Sequence, residues 1–149
     1  MAPKSKYDYC DRVGHGTHIH PKTEGGTEKS WRLMTTPDKR QVPVEICLSS
    51  NLWCRSVPSL EEHHVKLLHA DGHPFCICTD DKSAFDTCLS QEYAMAQGAL
   101  GLTNQQVFEL SFQTIDMTFA SDQVKEELKV LWKKFWADWS KCSTIMSTH

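Results

Sequence analysis

Three short apolar runs recur along the chain, each too short for a helix and each ending in polar residues. They are Asp11-Arg12-Val13-Gly14-His15, Val44-Glu45-Ile46-Cys47-Leu48 and Phe75-Cys76-Ile77-Cys78-Thr79-Asp80-Asp81. Their centres, Val13, Ile46 and Ile77, lie 31 to 33 residues apart, the size of one strand-plus-helix unit. Continuous rather than alternating apolar residues fit strands buried on both faces of a parallel sheet. The pattern predicts an α/β fold whose polar strand ends, His15, Ser49-Ser50-Asn51 and Asp80-Asp81, share one edge.

The connections between the runs are unequal. Pro21 to Lys29 is rich in Gly, Thr and charge and reads as a loop, and Ser30 to Gln41 shows no amphipathic period and is broken by Pro37. The first helix is therefore expected to be short, displaced or absent. Ser59-Leu60-Glu61-Glu62 has the form of a capping box, predicting a helix that contains His63 and His64 and stops at Gly72 and Pro74. Leu89 to Leu100 reads as a helix ending at Gly101. Thr103-Asn104-Gln105-Gln106 opens another, carrying Val107, Leu110, Phe112, Ile115 and Phe119. Ser121 starts a last helix, with Val124, Leu128, Leu131, Trp132, Phe135 and Trp139 at helical spacing, a pattern that favours a packing face. The reading divides the chain into a tail at 1–10, a body at 11–139 and a polar, frayed tail at 140–149.

Composition narrows the function classes. With 149 residues and a net charge of −3, the chain suits one domain and gives no basic surface for nucleic acid. No stretch approaches the ~20 apolar residues of a membrane span, and Met1-Ala2-Pro3-Lys4 lacks an apolar signal core, so a cytoplasmic protein is expected. Seven Cys, mostly beside apolar segments, are expected to be reduced, buried and inert.

Several groups offer chemistry. Two adjacent carboxylates, Asp80 and Asp81, repel each other unless a cation shares their site, and the C-terminal end of a parallel strand is where α/β folds place ligands. His15, between Gly14 and Gly16, is left uncovered and can act as acid, base or ligand. His18-Ile19-His20 has the spacing of a strand metal pair but lies in a loop before Pro21. His63 and His64, if internal to a helix, diverge by about 100° and cannot easily share a metal. Cys76 and Cys78 share a strand face, yet with Cys47 and Cys54 they lack the spacing of a zinc knuckle. Ser49-Ser50-Asn51 suits either substrate contact or loop capping. No Gly-x-Ser-x-Gly elbow and no P-loop occurs.

Several of these segments, in order, resemble the C-terminal part of the adenosine deaminase family, and within it the branch acting on N6-methyl-AMP. The matching stretches are Asp11-Arg12-Val13-Gly14-His15-Gly16-Thr17, Glu45-Ile46-Cys47-Leu48-Ser49-Ser50-Asn51, Val57-Pro58-Ser59 with His63-His64, Ile77-Cys78-Thr79-Asp80-Asp81-Lys82 and Leu89-Ser90-Gln91-Glu92-Tyr93. The similarity continues through Phe119-Ala120-Ser121 and covers roughly residues 10 to 135. It implies part of a (β/α)8 barrel, strands six to eight with their helices plus C-terminal helices. A whole barrel typically takes ~250 residues.

The resemblance also implies zinc-dependent hydrolytic deamination of a 6-amino- or 6-alkylaminopurine nucleoside monophosphate, such as N6-methyl-AMP to IMP. Asp80 would be a zinc ligand, Asp81 would hydrogen-bond the purine, and His15 would orient or deprotonate the attacking water. The family takes two further zinc ligands from a His-x-His on its first strand, and another from a His-Ala-Gly-Glu motif whose Glu is the proton donor. Neither segment occurs in these 149 residues, because His18-Ile19-His20 follows the Gly-His-Gly motif. By ligand count the chain is expected to lack a catalytic zinc and to be inactive alone. The alternative is a non-catalytic module that binds a protein partner through the open barrel edge and the Trp-rich last helix.

Overall fold

The structure, a computed structural model, describes residues 10–36 and 39–146, so Pro37, most of the 1–10 tail and the last three residues lie outside it. The chain divides into two compact units, at Leu102 and Thr103.

The first unit is built on a parallel sheet in the order β1-β2-β3. The strands are β1 (Val13–Gly14), β2 (Val44–Ile46) and β3 (Phe75–Ile77). Val13 pairs with Val44 and Val44 with Phe75, so each partner is 31 residues further along. All three residues of β3 are buried, as are Val44 and Ile46 of β2. In β3 that absence of alternation marks a strand covered on both faces. Glu45 escapes by pairing with Arg12 Nε at 2.6 Å. Val42, Val44, Ile46, Leu48, Val65, Leu68, Phe75 and Ile77 form the core. Each such side chain contributes roughly 1.5–3 kcal/mol by leaving water.

The first connection holds a short helix, α1 (Glu28–Leu33), capped by Thr27 and Ser30, and it buries none of its residues. Two elements differ from the sequence pattern. Ser49-Ser50-Asn51, offered for substrate contact or loop capping, lies on a helix: β2 leads into α2 (Leu48–Trp53), whose Leu48, Ser49, Ser50 and Asn51 are all buried. The helix after it, α3 (Val65–Ala70), starts later than the capping box suggests. Ser59 Oγ does accept from the Glu62 N–H at 3.3 Å, but the chain makes a turn there. His63 and His64 precede the helix, buried, with their rings stacked 4.5 Å apart. The cap chemistry is present, and burial of two imidazoles takes the place of the expected first helical turn.

Past β3, α4 (Leu89–Leu100) has the expected bounds and ends on Gly101 in the left-handed conformation, φ 65°. Its Glu92 is fully buried. The carboxylate accepts from the Ser49 N–H at 3.2 Å and from the Thr87 hydroxyl at 2.8 Å, so it ties α4 to the first turn of α2.

The second unit contains α5 (Asn104–Gln113), with the Thr103/Gln106 capping box, then a 3-10 turn at Thr114–Met117 and α6 (Asp122–Met146). Ile115 lies on the 3-10 turn rather than on α5, and Phe119 is beyond it and exposed. α6 runs past Ser140, where the sequence suggests a tail. Phe108 stacks on Trp136 at 4.7 Å, Trp136 on Trp139 at 5.0 Å, and Trp132 Nε1 donates to Ser111 Oγ at 2.9 Å. The apolar stripe therefore packs in part, while Leu131 and Phe135 stay exposed. No helix of the described residues is long and apolar enough to cross a membrane.

Candidate active site

The three strands deliver their following residues to one edge. His15 is the first residue past β1, Cys47 the first past β2, and Asp80 the third past β3. The ladder extends beyond the strands, with the His15 N–H on Glu45 O at 2.8 Å and the Cys78 N–H on Ile46 O at 2.8 Å. Placement at the edge is thus fixed by backbone pairing. His15 and Asp80 both have positive φ, 58° and 56°. A non-glycine residue there costs on the order of 1 kcal/mol or more, and such strain clusters at functional sites. Gly16, at φ 65°, closes the turn because a Cβ would come 2.7 Å from Val44 Cγ1.

The side chains converge. His15 Nε2 lies 3.6 Å from Asp80 Oδ2, and both residues are part-exposed. Ser50 Oγ donates to the same Oδ2 at 2.8 Å, leaving Asp80 Oδ1 without a hydrogen bond among the described residues. Asn51 Nδ2 lies 3.2 Å from His15 Nδ1 and 3.0 Å from Ser56 Oγ. An amide N–H only donates, so Nδ1 accepts and the neutral ring carries its hydrogen on Nε2. Asn51 Oδ1 is buried without a partner. His64 Nε2 reaches His15 O at 2.7 Å and holds the turn from below. Donor atoms of His15, Cys47 and Asp80 all lie within 4.8 Å of one another.

Electrostatics separate reactive from structural groups. Burial, helped by the neighbouring Cys78 and Asp80, pushes the Cys47 thiol up to about 12. Cys78 is also pushed up, by its 3.8 Å thiol contact with Cys76 and by burial. Burial, with His64 beside it, lowers His63 to about 3, and burial also lowers His64.

Of the residues singled out from sequence, His15 and Asp80 are brought together. Asp81 is adjacent and exposed, with Oδ1 accepting the Ser83 and Ala84 N–H groups at 3.0 and 3.1 Å. His18 and His20 turn to other work: His18 Nδ1 meets Glu24 O at 2.7 Å, while buried His20 pairs with Asp71 at 3.0 Å and packs on Trp31. Cys47, one residue past β2, is buried in the core with its thiol pushed up to about 12, as expected of a packed cysteine.

The family model for adenosine deaminase matches residues 8–133. The chain belongs to the adenosine deaminase family. It is 45% identical over 122 residues to the N6-methyl-AMP deaminase of Danio rerio and 43% to that of Homo sapiens. Those alignments cover 82% of this chain but 34% and 33% of the relatives. The chain therefore spans about a third of the length of the curated relatives it matches. The apo structure of the N6-methyl-AMP deaminase from Arabidopsis thaliana superimposes with a TM-score of 0.73 at 37% identity, over 83% of this chain and 34% of that one. The structure of Arabidopsis ADAL complexed with IMP superimposes equally well, with a TM-score of 0.73 at 36% identity. An adenine deaminase from Arthrobacter aurescens, 21% identical with a TM-score of 0.69, shares the fold. Three parallel strands with their helices thus reproduce about a third of the adenosine deaminase architecture.

Proposed function

We propose that these residues form strands six to eight of a deaminase barrel, contributing one side of a site for hydrolytic deamination of a 6-(alkyl)aminopurine nucleoside monophosphate such as N6-methyl-AMP. The observation that carries this reading is the convergence of His15 Nε2 and the Asp80 carboxylate, 3.6 Å apart at the sheet edge, in a chain of this family. The donor set suits a metal: Asp80 keeps one oxygen uncommitted, and Ser50 fixes the other.

Bound zinc would supply a Lewis acid that lowers the pKa of the attacking water. Asp80 would hold the metal at this edge, and His15 Nε2, 3.6 Å from that carboxylate, would orient the water by hydrogen bonding, with Asn51 setting its tautomer. Asp81, whose Oδ2 takes no hydrogen bond among the described residues, would accept one from the purine. Water adds at the purine C6 and the amine leaves. Within these 149 residues no group takes the proton-donor role of the family's His-Ala-Gly-Glu glutamate, so the chain alone is inactive.

The test is a hybrid. Residues 11–139 replace the matching third of a full-length N6-methyl-AMP deaminase, and conversion of N6-methyl-AMP to IMP is followed. The hybrid should turn over and lose at least about a hundredfold in kcat/KM on Asp80→Ala, with His15→Ala also impaired. The isolated chain should convert none. A folded, zinc-loaded hybrid without activity, or one indifferent to Asp80→Ala, refutes the proposal.

A further inference from the structure

We propose that an apolar row on α6 is a dimer surface whose occupant is the α6 of a second copy of this chain, lying antiparallel to it. Val124, Leu128, Leu131 and Phe135 follow one another at intervals of four, three and four residues, the repeat of a coiled-coil seam. α5 does not cover this row. It packs on the neighbouring flank of α6, where Trp136 stacks on Phe108 and Trp132 donates to Ser111. Val124, Leu131 and Phe135 are left 42%, 60% and 62% exposed. A contiguous exposed apolar row with charged neighbours marks an interaction surface rather than scattered surface residues. The match to the adenosine deaminase family stops at residue 133, so Phe135 and the helix beyond it lie outside the matched stretch.

The row complements itself only when reversed. Antiparallel pairing about a two-fold axis sets Leu128 against the partner's Leu131 and the small Val124 against the partner's large Phe135. Each contact then occurs twice, as an isologous dimer requires. Parallel pairing would set Phe135 against Phe135 and Val124 against Val124, one layer overfilled and the other underfilled. Asp138 stands three residues past Phe135, where the next apolar residue of the repeat belongs, so the seam ends there.

Charge selects the same direction. Glu127 and Lys134 lie seven residues apart along the edge of the row away from α5. In the antiparallel pair each Glu127 meets the partner's Lys134. In a parallel pair these two positions would instead face the flank that carries Trp132 and Trp139, and no opposite charges would meet. Lys134 makes no ion pair among the described residues. Glu127 accepts from Gln123 of its own helix at 3.0 Å, in an exposed contact. The inference is independent of the deaminase reading, because no residue of the row belongs to the site at the sheet edge.

The test is sedimentation equilibrium of the full 149-residue chain and its variants, with helical content checked by circular dichroism. Leu131→Glu and Phe135→Glu change exposed positions, so the fold should persist while association weakens at least about tenfold. Glu127→Lys sets Lys against Lys twice per dimer and should weaken association about fivefold, and adding Lys134→Glu should restore it. Association through open strand edges would ignore all of these changes. A chain that stays monomeric, leaving the row to some other partner, would overturn the proposal. So would association untouched by Leu131→Glu and Phe135→Glu, or a Glu127→Lys variant that associates normally or is not repaired by Lys134→Glu.

Discussion

Ser50 shows how much a single hydroxyl can carry. Ser50 is buried on the first turn of α2, and its hydroxyl donates to the Asp80 carboxylate at 2.8 Å. Ser50→Ala should therefore leave the core intact yet lower the kcat/KM of the hybrid enzyme by roughly 10–100-fold. His63 makes a different prediction. Its folded value of about 3 lies below the 6.5 of an exposed imidazole, and burial lowers His73 in the same direction. Between these values the unfolded chain binds more protons than the folded one. The stability that neutral burial of His63 confers is thus complete above pH ~6.5 and declines as the pH falls toward 3, by up to about 1.4 kcal/mol per pH unit. Urea midpoints should drop steadily across that window, and His63→Gln should flatten the slope. His15, Asp80 and Asp81 were legible in the sequence because polar residues directly follow apolar strand runs. The burial of the His63-His64 pair was not, because a capping-box pattern does not reveal that the next two residues are drawn into the core.

At the level of elements, α4 matters most to the site without touching it. Its Glu92 receives the Ser49 N–H and the Thr87 hydroxyl, so the start of α2, with Ser50 and Asn51, is braced by a buried carboxylate. Glu92→Ala leaves both donors unsatisfied and should cost about 2–4 kcal/mol, read from chemical denaturation of the first unit. In the second unit, Thr103 caps α5. Thr103→Ala should cost roughly 1 kcal/mol, seen as a loss of helical signal on heating. The bounds of α4 and the start of α5 were readable because caps and a C-terminal glycine are local chemistry. α2 was not, since its Leu-Ser-Ser-Asn-Leu-Trp sequence has little helical preference and only tertiary burial holds it in that form.

For the whole molecule, the decisive fact is a three-stranded parallel sheet whose β1 and β3 each have one strand neighbour among the described residues. Parallel sheets are normally buried on every side, and unpaired strand edges template association. The isolated chain should self-associate, its sedimentation-average mass rising with concentration. A monomer at all concentrations with a sharp cooperative melt would contradict this. The constant offset of 31 residues between paired positions also bears on how the chain is made. At ~5–20 residues per second, a ribosome produces each strand's partner within roughly two to six seconds of the strand itself. Every pairing joins a strand to the one synthesised just before it. The sheet that positions His15 and Asp80 can therefore assemble in the order of translation, and these two strand ends can meet once the third strand clears the exit tunnel.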